Sequence, residues 1–250
     1  MLKELGSAFK AYWEAWKIIV DKKLWWYLII PGAISLFYGL TVGMTAWYWH
    51  DDIQKIVSGV LPANTDSRIF QKIQTWFIGI SLATSSVVLY KYVINVLLSP
   101  ILSALSRRVE ESVAGYHISY KKETDETVLK DFSRAILFGF RNFIKEAGFT
   151  VLFLLIGLIP ALGFVATLLI FLIQALYVGY CNHDFTLSRY FSIKGSIDFN
   201  RTNKILALGN GIAFMLIVMI PVVGLFFAPT LATAAATLSS VPRVYRPTYA

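Results

Sequence analysis

Charge is scarce in this chain: Asp, Glu, Lys and Arg together make up 15% of its 250 residues, against about 25% in a typical soluble domain. Hydrophobic residues fill 56% of it and the mean hydropathy is +0.61, more apolar surface than a soluble core of this length can hide. Cysteine is nearly absent, and the single Cys181 excludes an internal disulfide and, alone, a cysteine metal cluster. Also missing are a nucleophile elbow, a P-loop, a dinucleotide fingerprint and a His-Glu-x-x-His motif. The reading is therefore a protein that is not an enzyme, with no cofactor and no metal. No small-residue cleavage site follows a short apolar core, which argues against a signal peptide. No polar linker is long enough to divide the chain, so 1–250 reads as a single membrane domain. The net charge of +8 flanks apolar segments instead of forming one stripe, which favours lipid headgroups and topology over nucleic acid.

What is present is an internal repeat. Phe153-x-Leu155-Ile156-x-x-Ile159-Pro160-x-x-Gly163 recurs 61 residues later as Phe214-x-Leu216-Ile217-x-x-Ile220-Pro221-x-x-Gly224. Apolar segments broken by Pro and Gly at corresponding places point to re-entrant or discontinuous membrane helices. The spacing predicts two hairpins, 148–182 and 205–241, with tips at Pro160, Gly163, Pro221 and Gly224. The first arm, if it starts at Gly148, is too short to cross the hydrocarbon layer. The alternative is two ordinary spanning hairpins whose first arms extend back into the charged flanks. Ahead of the hairpins, 24–106 reads as two transmembrane helices. The first, Leu24 to Trp49, carries no charge and is bounded by Trp and Tyr at both ends, with a kink at Pro31. The second, Ile73 to Leu105, is longer than a bilayer is thick, and Pro100 marks a kink near its exit. Residues 107–147 form a charged amphipathic segment on the cytoplasmic side. In 1–23, Leu2, Leu5, Phe9, Tyr12, Trp13, Trp16 and Val20 recur at helical spacing opposite Lys3, Lys10 and Lys17, as in a helix lying in the membrane interface; the alternative is a helix packed on the protein's own core. The fold class is thus an all-α integral membrane protein: an interfacial amphipathic helix, two long transmembrane helices and two repeated, partly penetrating hairpins. Placing only the loop 50–75 outside leaves 20 of the 23 basic residues at the cytoplasmic side, with both termini cytoplasmic in a plasma (inner) membrane.

Candidate chemistry is confined to basic residues at helix ends. Lys22 and Lys23 precede the N-terminus of the first span, where N–H groups and the helix dipole favour an anion. Arg107 and Arg108 form a second basic pair, although both pairs also suit plain positive-inside flanking charge. Lys91 lies in an apolar run and reads as snorkelling to the interface or as lining a pore. His50, His117 and His183 read as solvated boundary residues, and Asn182 and Asp184 as caps at a helix exit.

The Leu98-Ser99-Pro100 exit, Arg107-Arg108-Val109-Glu110 with Gly115, the turn Tyr180-Cys181-Asn182-His183-Asp184-Phe185, and Ile220-Pro221 with Pro229 resemble the CysZ family of sulfate permeases, within the etoposide-induced family of membrane proteins. The resemblance covers about residues 5 to 241. It implies two long transmembrane helices with two partly penetrating hairpins, uptake of sulfate into the cytoplasm for cysteine synthesis, and a homo-oligomer. It also implies an anion site at a Gly-Leu-Arg motif, whose matching positions here are Lys23, Leu24 and Trp25. An indole donates one hydrogen bond but carries no charge, so Lys22 and Lys23 are left as the point charges. The function expected is transport of a small inorganic anion, sulfate above all, across the lipid bilayer. The alternative is a membrane-organising or lipid-interacting protein that keeps the fold without transport.

Overall fold

The computed structural model describes residues 2–49, 52, 55, 90–114, 125–157, 162–220 and 222–245. Its elements are α1 (Leu2–Asp21), α2 (Trp26–Tyr48), α3 (Ser99–Ala114), α4 (Asp125–Gly157), α5 (Gly163–Leu187), α6 (Ile193–Thr202), α7 (Lys204–Val218) and α8 (Val223–Val244). Residues 90–97 are also helical and run into α3 with a break at Leu98, two residues before Pro100, whose missing N–H weakens the ladder there. The polar loop with Asp51 and Asp66, the segment 73–89, His50, His117, Gly115, and Pro160 and Pro221 at the expected tips lie outside the described residues.

The repeat is visible in the helix boundaries. The first arms α4 and α7 end at Gly157 and Val218, which are 61 residues apart, and the glycines Gly163 and Gly224 keep the same offset. At the second turn, a Cβ on Gly224 would lie 2.0 Å from the Ile217 carbonyl oxygen. Only glycine lets the returning helix approach this closely. The arms differ in length. α7, at 15 residues, is about 22 Å long, whereas α4 runs unbroken for 33 residues. The boundary expected near Gly148 is absent, because no proline interrupts 125–157 and Gly148 alone does not end a helix. The first arm thus extends back into the charged segment. Among the described residues, three helices are long and apolar enough to cross a membrane, over Trp26–Thr45, Gly163–Leu187 and Val223–Val244. Their outward faces, such as Phe37, Met44, Trp47 and Phe164, are exposed apolar side chains, as a lipid-facing surface requires.

Close packing comes from small residues. α5 and α7 meet backbone to backbone through Ala175 and Gly179 on one helix and Ala207 and Gly211 on the other. A Cβ on Gly179 would fall 1.9 Å from the Ala207 carbonyl oxygen, and one on Gly211 would fall 1.7 Å from that of Ala175. Each helix therefore carries an Ala-x-x-x-Gly contact, the small-residue spacing by which membrane helices approach. α2 is seated on α8 in a related way, with Phe226 and Leu225 filling the gaps at Gly32 and Gly39. α1 packs on α7 and α8 through Ala8, Ala11, Tyr12, Ala15 and Ile19. Of the aromatic residues in the expected stripe, Tyr12 is buried and donates to the Asn210 carbonyl at 2.8 Å, while Phe9 and Trp13 face outward.

Candidate functional site

The corner between α1 and α2 is a helix-terminating motif. Leu24 N–H donates to the Ile19 carbonyl and Lys23 N–H to that of Val20, the paired bonds that close a helix through a left-handed residue. That residue is Lys23, with φ of 55°. The position is one where glycine is usual, and here it is held by a residue with a side chain. Lys22 and Lys23 are both exposed and Leu24 is half-buried. Trp25 occupies the N-cap of α2 without a side-chain cap bond, and its ring meets Trp16 edge to face at 6.2 Å.

Arg108 arrives at this corner from α3. Its guanidinium lies beside Tyr27, whose hydroxyl raises the Arg108 pKa, with the Glu111 carboxylate adding to the effect. Of the two arginines, Arg108 remains open to water, while Arg107 pairs with Asp131 of α4 at 3.5 Å in a largely buried setting. Lys22 and Lys23 thus lie exposed at the α1–α2 corner and Arg108 lies exposed beside Tyr27 in the first turn of α2, while Arg107 is directed elsewhere.

Lys91 does not snorkel. It is fully buried, 2.5 Å from Glu146 Oε1, and it also donates to the Gln174 carbonyl at 3.2 Å. Tyr92 donates to the other carboxylate oxygen of Glu146 at 2.8 Å. A carboxylate supplied by the neighbouring helix satisfies the ammonium where it stands, so the long route to the interface is unnecessary. The expected cap residues are likewise inside α5, not at its end. Asp184 takes both Arg134 Nη2 at 2.8 Å and Nε at 3.0 Å, His183 pairs with Asn200 at 2.9 Å, and Asn182 donates to Asn210 at 2.8 Å. α5 continues to Leu187 because its polar residues find partners on α4, α6 and α7.

A further ion pair joins Arg189 to Glu110 at 2.5 Å, and Tyr190 donates to the same carboxylate. Arg189 also reaches Ser106, which bonds to Thr186 and Thr237 at 2.9 Å each. Sequence reading missed Glu110, Glu146, Arg134 and Asp184 as partners. The signal that bears on them is Lys91, since an ionisable group in an apolar run requires a counter-charge. These pairs tie the helical stretch 90–97, α3, α4 and the end of α5 together. Between them, a cavity of about 20 Å³ lined by Arg134, Asp184 and Asn95 has room for about one water molecule. Among the described residues, no group of His, Cys, Asp and Glu is arranged to hold a metal ion.

A helical bundle with membrane-length apolar helices, small-residue contacts and buried ion pairs defines a multi-pass membrane protein. The family model described as sulfate transporter CysZ/etoposide-induced protein 2.4 matches residues 11–229, and the chain belongs to that family. Among curated proteins, no relative matches the chain.

Proposed function

We propose that the protein carries a small inorganic anion, sulfate above all, across the plasma membrane into the cytoplasm. The reading rests on membership of a sulfate transporter family over residues 11–229. The single structural observation that supports it is the placement of exposed Lys22 and Lys23 just ahead of α2, with exposed Arg108 beside Tyr27 of its first turn. The positive end of the helix dipole, two ammonium groups and one guanidinium suit a tetrahedral oxyanion. Lys91 serves as a buried structural cation in this reading, because Glu146 neutralises it. Both termini and residues 183–204 face the cytoplasm, and the hairpins α4–α5 and α7–α8 enter from that side. From Lys145 to Gly157 and from Lys204 to Val218 the apolar arms extend about 18 to 21 Å, less than the roughly 30 Å of the hydrocarbon layer. That difference favours tips that end within the membrane.

Isothermal titration with sulfate tests the site. Wild type is expected to bind, Lys22→Gln/Lys23→Gln to lose most affinity, and Trp25→Arg to gain about ten- to a hundredfold if its guanidinium reaches the anion. Equal binding by all three would place the anion elsewhere. No heat from wild type with a gain only in Trp25→Arg would favour a membrane-organising protein that keeps the fold without transport.

A further inference from the structure

A second group of cations has no role in the reading above. Arg141 and Lys145 on α4, Arg201 on α6 and Lys204 at the start of α7 line one cleft of about 470 Å³. The four come from three helices, so the fold gathers them. Their only acidic neighbour in an ion pair among the described residues is Asp198, 3.9 Å from Arg201. The crowding is felt at Lys145, whose ammonium is pushed down from its ordinary range first by Arg141, then by burial and by Arg201. Like charges held together in this way are costly without a counter-anion.

The rest of the lining narrows what that anion is. Phe149, Ile173 and Leu176 are apolar, and Tyr177 and Tyr180 are amphipathic. The cleft also lies where the charged part of α4 gives way to its apolar arm and where α7 begins its own. A basic rim beside an apolar wall, at the foot of both hairpins, matches a molecule with an anionic head and a hydrocarbon tail. A freely soluble anion has no use for the apolar side.

We infer that this cleft binds the phosphate headgroup of an anionic phospholipid, with its acyl chain along Phe149, Ile173 and Leu176. Arg141 and Arg201 grip the phosphate oxygens and Lys145 and Lys204 add point charge. The site anchors the bases of the two hairpins at headgroup level. It depends on the membrane reading and not on sulfate transport, so failure of either leaves the other standing.

Native mass spectrometry of the purified full chain tests the site, with phosphatidylglycerol, phosphatidylcholine and inorganic phosphate as probes. Wild type is expected to retain phosphatidylglycerol in preference to phosphatidylcholine. Each basic side chain near an anionic headgroup contributes roughly a fivefold factor, so Arg141→Gln/Arg201→Gln should weaken phosphatidylglycerol binding about thirtyfold. Lys10→Gln, on the exposed face of α1, should leave it unchanged. Circular dichroism and the melting temperature identify any loss due to misfolding, and the single variants Lys145→Gln and Lys204→Gln, at exposed positions, then carry the test with about a fivefold loss each. Equal retention of both lipids by wild type, full retention by the variants, or displacement of the lipid by millimolar inorganic phosphate would overturn the proposal.

Discussion

Replacing Lys23 by glycine should stabilise the protein, although it removes a cation from the candidate anion site. Lys23 has φ of 55°, and an L-residue with a side chain pays roughly 1 to 2 kcal/mol to hold the left-handed conformation. Glycine escapes that cost but loses about 0.4 to 1 kcal/mol through its freer unfolded chain. The net expectation is a gain of about 0.5 to 1 kcal/mol for Lys23→Gly, or a melting temperature about 1 to 4 °C higher for a chain of this size. Lys23→Ala is the matched control. It removes the same charge but keeps the strained conformation, and because Lys23 is exposed it makes no packing change of consequence. Thermal unfolding in detergent, read as the difference between the Gly and Ala variants, isolates the backbone contribution. Sulfate titration of the same pair isolates the charge, since both should lose the same fraction of affinity. A Gly variant no more stable than the Ala variant would refute the claim that α1 ends through a left-handed Lys23.

Further outcomes follow from the interior. Glu146→Gln or Lys91→Met strands a buried charge, and each should cost about 3 to 5 kcal/mol; Lys91→Met/Glu146→Leu should recover most of it, as a double-mutant cycle of unfolding free energies would show. Gly211→Ala puts a Cβ 1.7 Å from the Ala175 carbonyl oxygen and should destabilise by about 2 kcal/mol or more, whereas Gly6→Ala, with nothing within 4 Å, should gain about 0.5 to 1 kcal/mol. Lys194→Cys, in a background with Cys181 replaced by Ser, should resist an impermeant thiol reagent added outside intact cells and react after lysis; labelling from outside would contradict cytoplasmic exposure of residues 183–204.

The repeat was legible because prolines and glycines end helices by local chemistry. Gly163 and Gly224 accordingly sit where helices turn, and Leu98 breaks the helix ahead of Pro100. The continuity of α4 was not legible, because hydropathy drops at Lys145 and Glu146 while the backbone has no reason to stop there. Pairings such as Lys91 with Glu146 and Arg134 with Asp184 join residues 55 and 50 positions apart on separate helices, so composition along the chain carries no trace of them. Composition did not distinguish free cations from committed ones either. Arg107, Arg134 and Arg189 are tied to carboxylates, and the basic face available to an anion is narrower than the charge count implied. At Lys23 the usual glycine signal of a left-handed cap is replaced by lysine, which conceals the turn from any reading of residue type.

The central claim is that this bundle moves sulfate. Uptake of radiolabelled sulfate by liposomes containing the purified protein tests it most directly. The account predicts accumulation above that of empty liposomes, reduced by Lys22→Gln/Lys23→Gln and by Arg108→Gln. Uptake by wild type indistinguishable from empty liposomes, with the protein folded and inserted, would contradict it.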